Sequence, residues 1–154
     1  MFEEFKKKMA EEFEMINIDI MSYYFGIGVK QSDDGIFVSQ KGYAKKALKE
    51  FKMKNYQPII TPMKCEVKLL RFDNGEKVSP TLYRKVVGNL RHLTCSRYDI
   101  LYRVRLISRY MEAPTSSYMK AAKKILRYLK ETLDYGLLYT SFGNFSLVGY
   151  RYRD

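Results

Sequence analysis

The chain has 154 residues, of which 46% are hydrophobic, so it is long and apolar enough for one domain with a buried core. It carries a net charge of +11 and only two cysteines, which are too few for a disulfide framework and lack the spacing of a zinc site. No apolar run approaches the roughly 20 residues of a membrane-spanning helix, which excludes a transmembrane protein and predicts a cytoplasmic or nuclear one.

Within the first 40 residues, the spacing of apolar residues changes from that of a helix to that of a strand. An amphipathic helix is predicted over 2–14, because its apolar residues recur at helical spacing between Glu and Lys. It has no continuous apolar core and is therefore not a signal peptide. The turn sequence QSDDG at 31–35 is flanked by β-branched and aromatic residues, which predicts a β-hairpin with strands near 21–30 and 35–39.

Residues 40–132 are predicted to form about four helices. The first begins after Ser39-Gln40 and ends before Pro58, because proline cannot continue a helix; an exposed loop is expected at 63–78. Ser79 as N-cap, with Pro80 behind it, begins the second. The third spans about 98–111, and the fourth begins after Pro114. The apolar stripes expected to pack together are Tyr43, Ala44, Ala47, Leu48 and Phe51; Leu82, Val86, Val87, Leu90 and Leu93; Ile100, Leu101, Val104, Ile107 and Met111; and Tyr118, Ala121, Ala122, Ile125, Leu126 and Leu129.

The period shortens again beyond Gly136. The sequence LLYTSFGNFSLVGY at 137–150 predicts a C-terminal β-hairpin that turns at Phe142-Gly143-Asn144. The predicted fold class is therefore α+β, with an N-terminal helix and hairpin, a bundle of about four helices, and a C-terminal hairpin.

Few residues could form a catalytic or metal centre. His92 is the one histidine, and its place on a basic helix is typical of a surface residue, although a triad assembled in space stays open. Adjacent aspartates on a hairpin turn can hold two magnesium ions for nucleotidyl transfer. For Asp33-Asp34 a solvated turn is favoured, because a two-residue match is common. No catalytic residue, metal ligand or cofactor is predicted.

Nearly all of the excess positive charge lies in the helical part of the chain. Residues 77–132 contain 13 Lys and Arg against 3 Asp and Glu, whereas residues 1–76 contain 13 against 12. Helices that pack through their apolar stripes would present these cations outward, which suits sequence-independent contacts with nucleic-acid phosphates. A basic surface that serves only solubility or partner binding stays open as the alternative. The cations are Arg84, Lys85, Arg91, Arg103, Arg105, Arg109, Lys120, Lys123, Lys124 and Arg127.

Five blocks of sequence resemble, in order, the segment that follows the polymerase active site in Ty1/copia-type retrotransposon Pol polyproteins. They are FEMINIDIMSYYFGIGVKQSDDGIFVSQKGYAKKALKEFKM (13–53), TPMK (61–64), LYRKVVGNLRHLTCSRYDI (82–100), SRYMEAP (108–114) and AAKKILRYLKET (121–132). LVGY (147–150) is similar to the opening strand of that family's RNase H domain. The resemblance covers essentially the whole chain.

The resemblance implies three parts of a reverse transcriptase. Residues 1–39 would be a palm remnant with a primer-grip-like hairpin, 40–132 the thumb and connection helices, and 133–154 the start of an RNase H-like domain. The implied partners are an RNA or DNA template–primer duplex, bound weakly, and the other Pol domains, with no membrane. Magnesium would serve only catalytic parts that lie elsewhere. The implied nucleic-acid-binding residues are Tyr24, Phe25, Gly26, Gln40, Lys41, Arg84, Lys85, Arg91, Lys120, Lys123 and Lys124.

Several positions depart from the family pattern. Gly28 stands where an acid is usual, Tyr118 where a histidine is usual, and Tyr152 replaces an RNase H metal ligand. The family's catalytic Tyr-Val-Asp-Asp would lie upstream of the first helix. We therefore expect a truncated, degenerate fragment without polymerase or nuclease activity of its own. The alternatives are a small protein-interaction module, or the C-terminal part of a longer, active RNA-directed DNA polymerase.

Overall fold

The computed structural model describes residues 2–13, 21–62 and 75–140. These residues form five α-helices and one four-stranded antiparallel sheet, so the predicted α+β class is confirmed. The helices are α1 (Phe2–Phe13), α2 (Lys41–Glu50), α3 (Pro80–Leu93), α4 (Tyr98–Ser108) and α5 (Ser116–Glu131), with one 3-10 turn at Met53–Asn55. The strands are β1 (Tyr23–Tyr24), β2 (Ile27–Ser32), β3 (Gly35–Ser39) and β4 (Leu137–Thr140).

The sheet has the order β1-β2-β3-β4. Ser32 pairs with Gly35, so Asp33 and Asp34 form the predicted two-residue hairpin turn and are exposed. The prediction of one strand over 21–30 was wrong, because the chain reverses within it. Phe25 and Gly26 adopt φ values of 46° and 87°, and this turn separates β1 from β2.

The last described strand completes the sheet that begins near the N-terminus. Leu137 pairs with Val38 and Thr140 with Gly35, so β4 lies beside β3. A Cβ at Gly35 would lie 2.1 Å from the Tyr139 carbonyl oxygen, so only glycine permits this close approach. The predicted turn at 142–144, the LVGY segment and most of the loop predicted at 63–78 lie outside the described residues.

The helices α2 to α5 enclose the apolar core, as their periodicity predicts. Ser79 caps α3 by accepting a hydrogen bond from the Leu82 amide, and Pro80 begins the helix. Two members of the predicted stripes were wrong, because Leu82 and Leu101 are exposed. Tyr83 is fully buried instead, since its hydroxyl can donate to the Ile107 carbonyl at 2.9 Å.

A buried arginine ties the start of α4 to the end of α5. The Arg97 side chain is 4% exposed and donates to both carboxylate oxygens of Asp99 at 2.9 and 2.7 Å. It also donates to the carbonyl and hydroxyl oxygens of Thr132 at 2.7 and 2.6 Å, while Tyr128 donates to Asp99 at 2.8 Å. Burial alone would raise the pKa of Asp99, but the hydrogen bonds and charge of Arg97, with the Tyr128 hydrogen bond, lower it below its ordinary value.

Among the helices described within 2–13, 21–62 and 75–140, none is long and apolar enough to cross a bilayer. The boundaries predicted at residues 39 and 132 stay predictions.

Candidate nucleic-acid interface

One exposed side of α3 carries three cations around a glycine. Arg84 and Lys85 lie four and three residues before Gly88, and Arg91 lies three residues after it, so the three cations surround the glycine on one side of the helix. All four residues are exposed. We call these four residues the α3 surface. Arg84 donates to the Met111 carbonyl at 3.1 Å. The Lys85 ammonium lies 2.5 Å from a Glu50 carboxylate oxygen. Two of the three cations are thus free of an acidic partner among the described residues.

Gly88 leaves the backbone bare in the middle of this surface. A Cβ built there would meet no atom within 4 Å, so packing does not require glycine at this position. Glycine inside a helix costs about 1 kcal/mol relative to alanine, because it loses more backbone entropy on folding. A glycine that is costly and unexplained by packing is typical of a site where another molecule approaches the backbone closely.

The aromatic turn between β1 and β2 lies beside α3. Tyr24 and Phe25 are exposed, Phe25 at 75%, and their rings meet edge to face at 4.5 Å. A Cβ at Gly26 would lie 3.5 Å from the His92 Nε2 atom and 3.4 Å from the Tyr43 ring. The structure therefore brings the predicted Tyr24-Phe25-Gly26 turn to the C-terminal end of α3.

Tyr43 on α2 packs against the contact between this turn and α3. Its ring lies 4.3 Å from the His92 ring, and its hydroxyl donates to the Asn89 side-chain oxygen at 2.9 Å. Burial, with the charge of Glu50, raises the pKa of Tyr43, so the phenol stays protonated and remains a donor near neutral pH. His92 is therefore half-buried against an aromatic ring and is not a freely solvated residue.

Two predicted contact residues are occupied within the protein. Gln40 is only 2% exposed; its amide nitrogen donates to the His92 carbonyl at 3.2 Å, and its amide oxygen accepts from Ser96 at 2.8 Å. Its side chain is therefore hydrogen-bonded to the end of α3 and the turn after it, inside the protein. Lys41 is exposed and forms an ion pair with Asp134, which lowers the pKa of that carboxyl group.

A second basic surface lies on α5. The predicted residues Lys120, Lys123 and Lys124 line a cavity of about 270 Å³ together with Arg127 and Tyr56. We call these five residues the α5 surface. The Lys123 ammonium lies 5.8 Å from the centre of the Tyr56 ring, and Arg127 donates to the Gln57 carbonyl at 2.6 Å.

The α3 and α5 surfaces stand on different helices. Among the described residues, no hydrogen bond or ion pair joins a side chain of one to a side chain of the other. The predicted contact cations of α3 and α5 are thus brought into two groups rather than one, while Arg105 on α4 lines a further cavity together with Arg91.

No described group of residues forms a metal centre. Within 2–13, 21–62 and 75–140 there is no cluster of three or more His, Cys, Asp or Glu that could hold an ion. Asp33 and Asp34 stand on an exposed hairpin turn.

The sequence prediction missed Gly88 and Tyr56. The signal for Gly88 was a glycine inside a strong helical pattern, which costs stability and therefore requires an explanation. No sequence pattern indicated Tyr56, because it lies in the connector after α2 and reaches the α5 surface only through the tertiary fold.

Comparison with known proteins places the chain in a family. Residues 1–65 match the family model described as reverse transcriptase (RNA-dependent DNA polymerase). Over 142 residues, 92% of this chain, the sequence is 32% identical to the retrovirus-related Pol polyprotein from transposon RE2 of Arabidopsis thaliana. The chain belongs to the copia-type retrotransposon Pol family. The resemblance carried by the five sequence blocks is therefore confirmed.

Further relatives of this Pol family chain differ in length. It is 29% identical over 82% of its residues to the Pol polyprotein from transposon TNT 1-94 of Nicotiana tabacum, and it spans 10% of that protein, as it does of the RE2 polyprotein. It is 31% identical over 84% of its residues to an uncharacterized mitochondrial protein of Arabidopsis thaliana, of which it spans 54%. No solved structure matches the chain.

Proposed function

We propose that this chain binds a nucleic-acid duplex without regard to sequence, as the template–primer-contacting part of a copia-type reverse transcriptase. The observation that carries the proposal is the α3 surface, where bare backbone at Gly88 lies between cations one turn away on either side. Glycine lets a helix approach a ligand closely, and cations beside it can neutralise phosphates.

The dimensions of the α3 surface suit a nucleic-acid strand. Arg84 and Arg91 are seven residues apart, which is about 10 Å along a helix that rises about 1.5 Å per residue. Two guanidinium groups this far apart can contact different phosphates of one strand. The neighbouring amide side chain, Asn89, already bonds Tyr43 and the Lys85 carbonyl. Phosphate contacts without base-edge contacts give sequence-independent binding, which a polymerase requires.

The aromatic turn lies next to the α3 surface and would contact the nucleic acid where the duplex ends. Tyr24 and Phe25 are exposed next to α3, and aromatic side chains stack on bases of any sequence. We infer that the turn contacts the end of the primer strand. The α5 surface, with Tyr56 beside four cations, would contact the strand further along.

We infer further that this chain by itself catalyses neither polymerisation nor strand hydrolysis. Its adjacent aspartates form an exposed turn and, among the described residues, have no third carboxylate or histidine beside them. Two-metal nucleotidyl transfer needs carboxylates converging on the ions. A primer-extension assay with magnesium and deoxynucleotides should give no product from the chain alone. Extension products would contradict this inference without affecting duplex binding.

Salt dependence of duplex binding tests the proposed surface. We would measure the affinity for a labelled RNA–DNA duplex by fluorescence anisotropy between low and physiological salt. Each phosphate contact contributes about −0.9 to the log–log slope on duplex DNA, so the variant Arg84→Gln/Arg91→Gln should reduce the slope by about 2.

The matched control is Lys30→Gln/Lys46→Gln, which removes the same charge from exposed positions on β2 and α2. It should keep the slope of the unaltered chain. Equal losses in both variants would mean that net charge alone attracts the duplex, and a salt-independent affinity would overturn the proposal.

A further inference from the structure

A third basic surface, outside the predicted site, is a cavity lined by lysines. A cavity of about 500 Å³ opens between the end of α2, the 3-10 turn and the end of α5. We call it the lysine pocket. None of its lysines forms an ion pair with an acidic side chain among the described residues. They are Lys45, Lys49, Lys52, Lys54 and Lys130.

The floor of the lysine pocket is apolar. Leu48, Met53 and Leu133 line it, and Met53 is fully buried while the two leucines are half-buried. Lys130 fixes the wall, since its ammonium donates to the Lys54 and Tyr56 carbonyls at 2.7 and 2.9 Å. The pocket therefore combines an apolar base with a cationic rim.

Lys52 stands at a position that favours glycine. It follows the C-terminal end of α2 with a φ of 54° and a ψ of 37°, the left-handed conformation in which helix ends usually carry glycine. A non-glycine residue held there is strained, and such strain is typical of functional positions. The cost is understandable if the ammonium group of Lys52 is needed at the rim.

The lining indicates which class of ligand fits. Bases of single-stranded nucleic acid bind by stacking on aromatic rings, and none of the described residues that line this pocket is aromatic. A sugar–phosphate backbone would also have to desolvate polar atoms against the apolar floor. An aliphatic or aromatic side chain loses no hydrogen bond there, and carboxylates beside it would meet the lysine ammonium groups.

We propose that the lysine pocket is a docking site for an acidic protein segment that inserts an apolar anchor side chain. Leu48, Met53 and Leu133 receive the anchor, and the lysine rim neutralises the carboxylates on either side of it. Methionine-containing floors adapt readily to different anchor shapes. This interaction does not depend on the proposed duplex binding, because it uses neither the α3 surface nor the α5 surface.

Two labelled probe peptides of equal charge test the proposal on the full chain. One has the sequence Glu-Glu-Leu-Leu-Glu-Glu, and the other has serines in place of the leucines. Fluorescence anisotropy should show the leucine peptide binding about tenfold more tightly, which corresponds to about 1.4 kcal/mol. Equal affinities, or no binding of either peptide, would overturn the proposal, because the apolar floor would then contribute nothing.

Variants of the pocket separate docking from general charge attraction. Lys49→Gln/Lys52→Gly removes two rim charges and relieves the left-handed strain, so folding should be preserved while peptide affinity falls about tenfold. Lys30→Gln/Lys46→Gln loses the same charge elsewhere and should bind the peptide like the unaltered chain. Equal losses of peptide affinity in both variants would refute the proposal that the lysine pocket is the docking site.

A competition experiment distinguishes the other class of ligand. The unlabelled RNA–DNA duplex should not displace the leucine peptide, and the pocket variant should bind the duplex normally. Displacement together with weakened duplex binding in the pocket variant would assign the lysine pocket to nucleic acid and overturn the proposal. Failure of the duplex assay alone would leave the peptide result intact.

Discussion

The most severe single substitution we predict is Arg97→Met, at the buried network between α4 and α5. The change keeps a long unbranched side chain but removes four hydrogen bonds, two to Asp99 and two to Thr132. It leaves a carboxylate without its counter-ion and a buried carbonyl without that donor. Thr132 directly follows α5, so the loss also loosens the connection to β4.

The size of the effect follows from the exposure of each partner. Removing one member of a buried ion pair costs about 3–5 kcal/mol, because the other charge is left uncompensated. The Asp99 side chain is 34% exposed, so water can replace part of what Arg97 supplied. We therefore expect the lower end of that range, about 3 kcal/mol.

Urea unfolding followed by circular dichroism measures this loss. The matched control is Arg84→Met, which makes the same chemical change at an exposed arginine with one backbone hydrogen bond. It should cost no more than about 0.5 kcal/mol. A loss below about 1 kcal/mol for Arg97→Met, or equal losses for the two variants, would refute the reasoning, since the network would then not stabilise the helices.

Three further substitutions test the sheet, the core and the charge of the Arg97 network. Gly35→Ala should lower the free energy of unfolding in urea by at least about 2 kcal/mol, because the added Cβ would collide with the Tyr139 carbonyl. The control Gly42→Ala has open space around it and should be neutral or stabilising by about 0.5 kcal/mol. Equal effects of the two substitutions would contradict the β3–β4 pairing. Tyr83→Phe should lose about 1 kcal/mol, since the ring is retained and only the hydrogen bond to Ile107 is removed; an unchanged urea midpoint would argue against that bond. The pKa of Asp99 is lowered from its ordinary 3.8, so the ionised carboxylate contributes its full share of the folding stability above about pH 4. That share is lost as the pH falls through the pKa of Asp99 in the folded protein, and Asp99→Asn should therefore flatten the acid side of the pH–stability curve. A curve parallel to that of the unaltered chain would contradict the lowered pKa.

The helices could be predicted from local patterns because their causes are local. Apolar spacing fixed the buried sides of α2 and α5, and Ser79-Pro80 marked the start of α3. The pairing of β4 with β3 could not be predicted, because strand register depends on contacts nearly 100 residues apart along the chain. Leu82 was predicted to be buried where Tyr83 is, since periodicity alone did not weigh a hydroxyl that finds a carbonyl partner.

The candidate surfaces were predicted in part for similar reasons. The charge excess of residues 77–132 correctly indicated basic helices, but not that they divide into the α3 and α5 surfaces. The lysine pocket was missed, because acidic residues elsewhere in the first half of the sequence cancel its lysines in any charge count. Its lysines come together only when the end of α2 meets the end of α5.

Duplex binding by the variant Gly88→Gln tests the central claim most directly. Because a Cβ at this exposed position would meet no atom within 4 Å, the variant should fold at least as stably, with a gain of up to about 1 kcal/mol from helix propensity. It adds bulk without changing charge, so we expect the affinity for the RNA–DNA duplex to fall about tenfold at constant salt. An unchanged affinity in this well-folded variant would mean that the α3 backbone does not approach the duplex, and the proposed interface would be wrong.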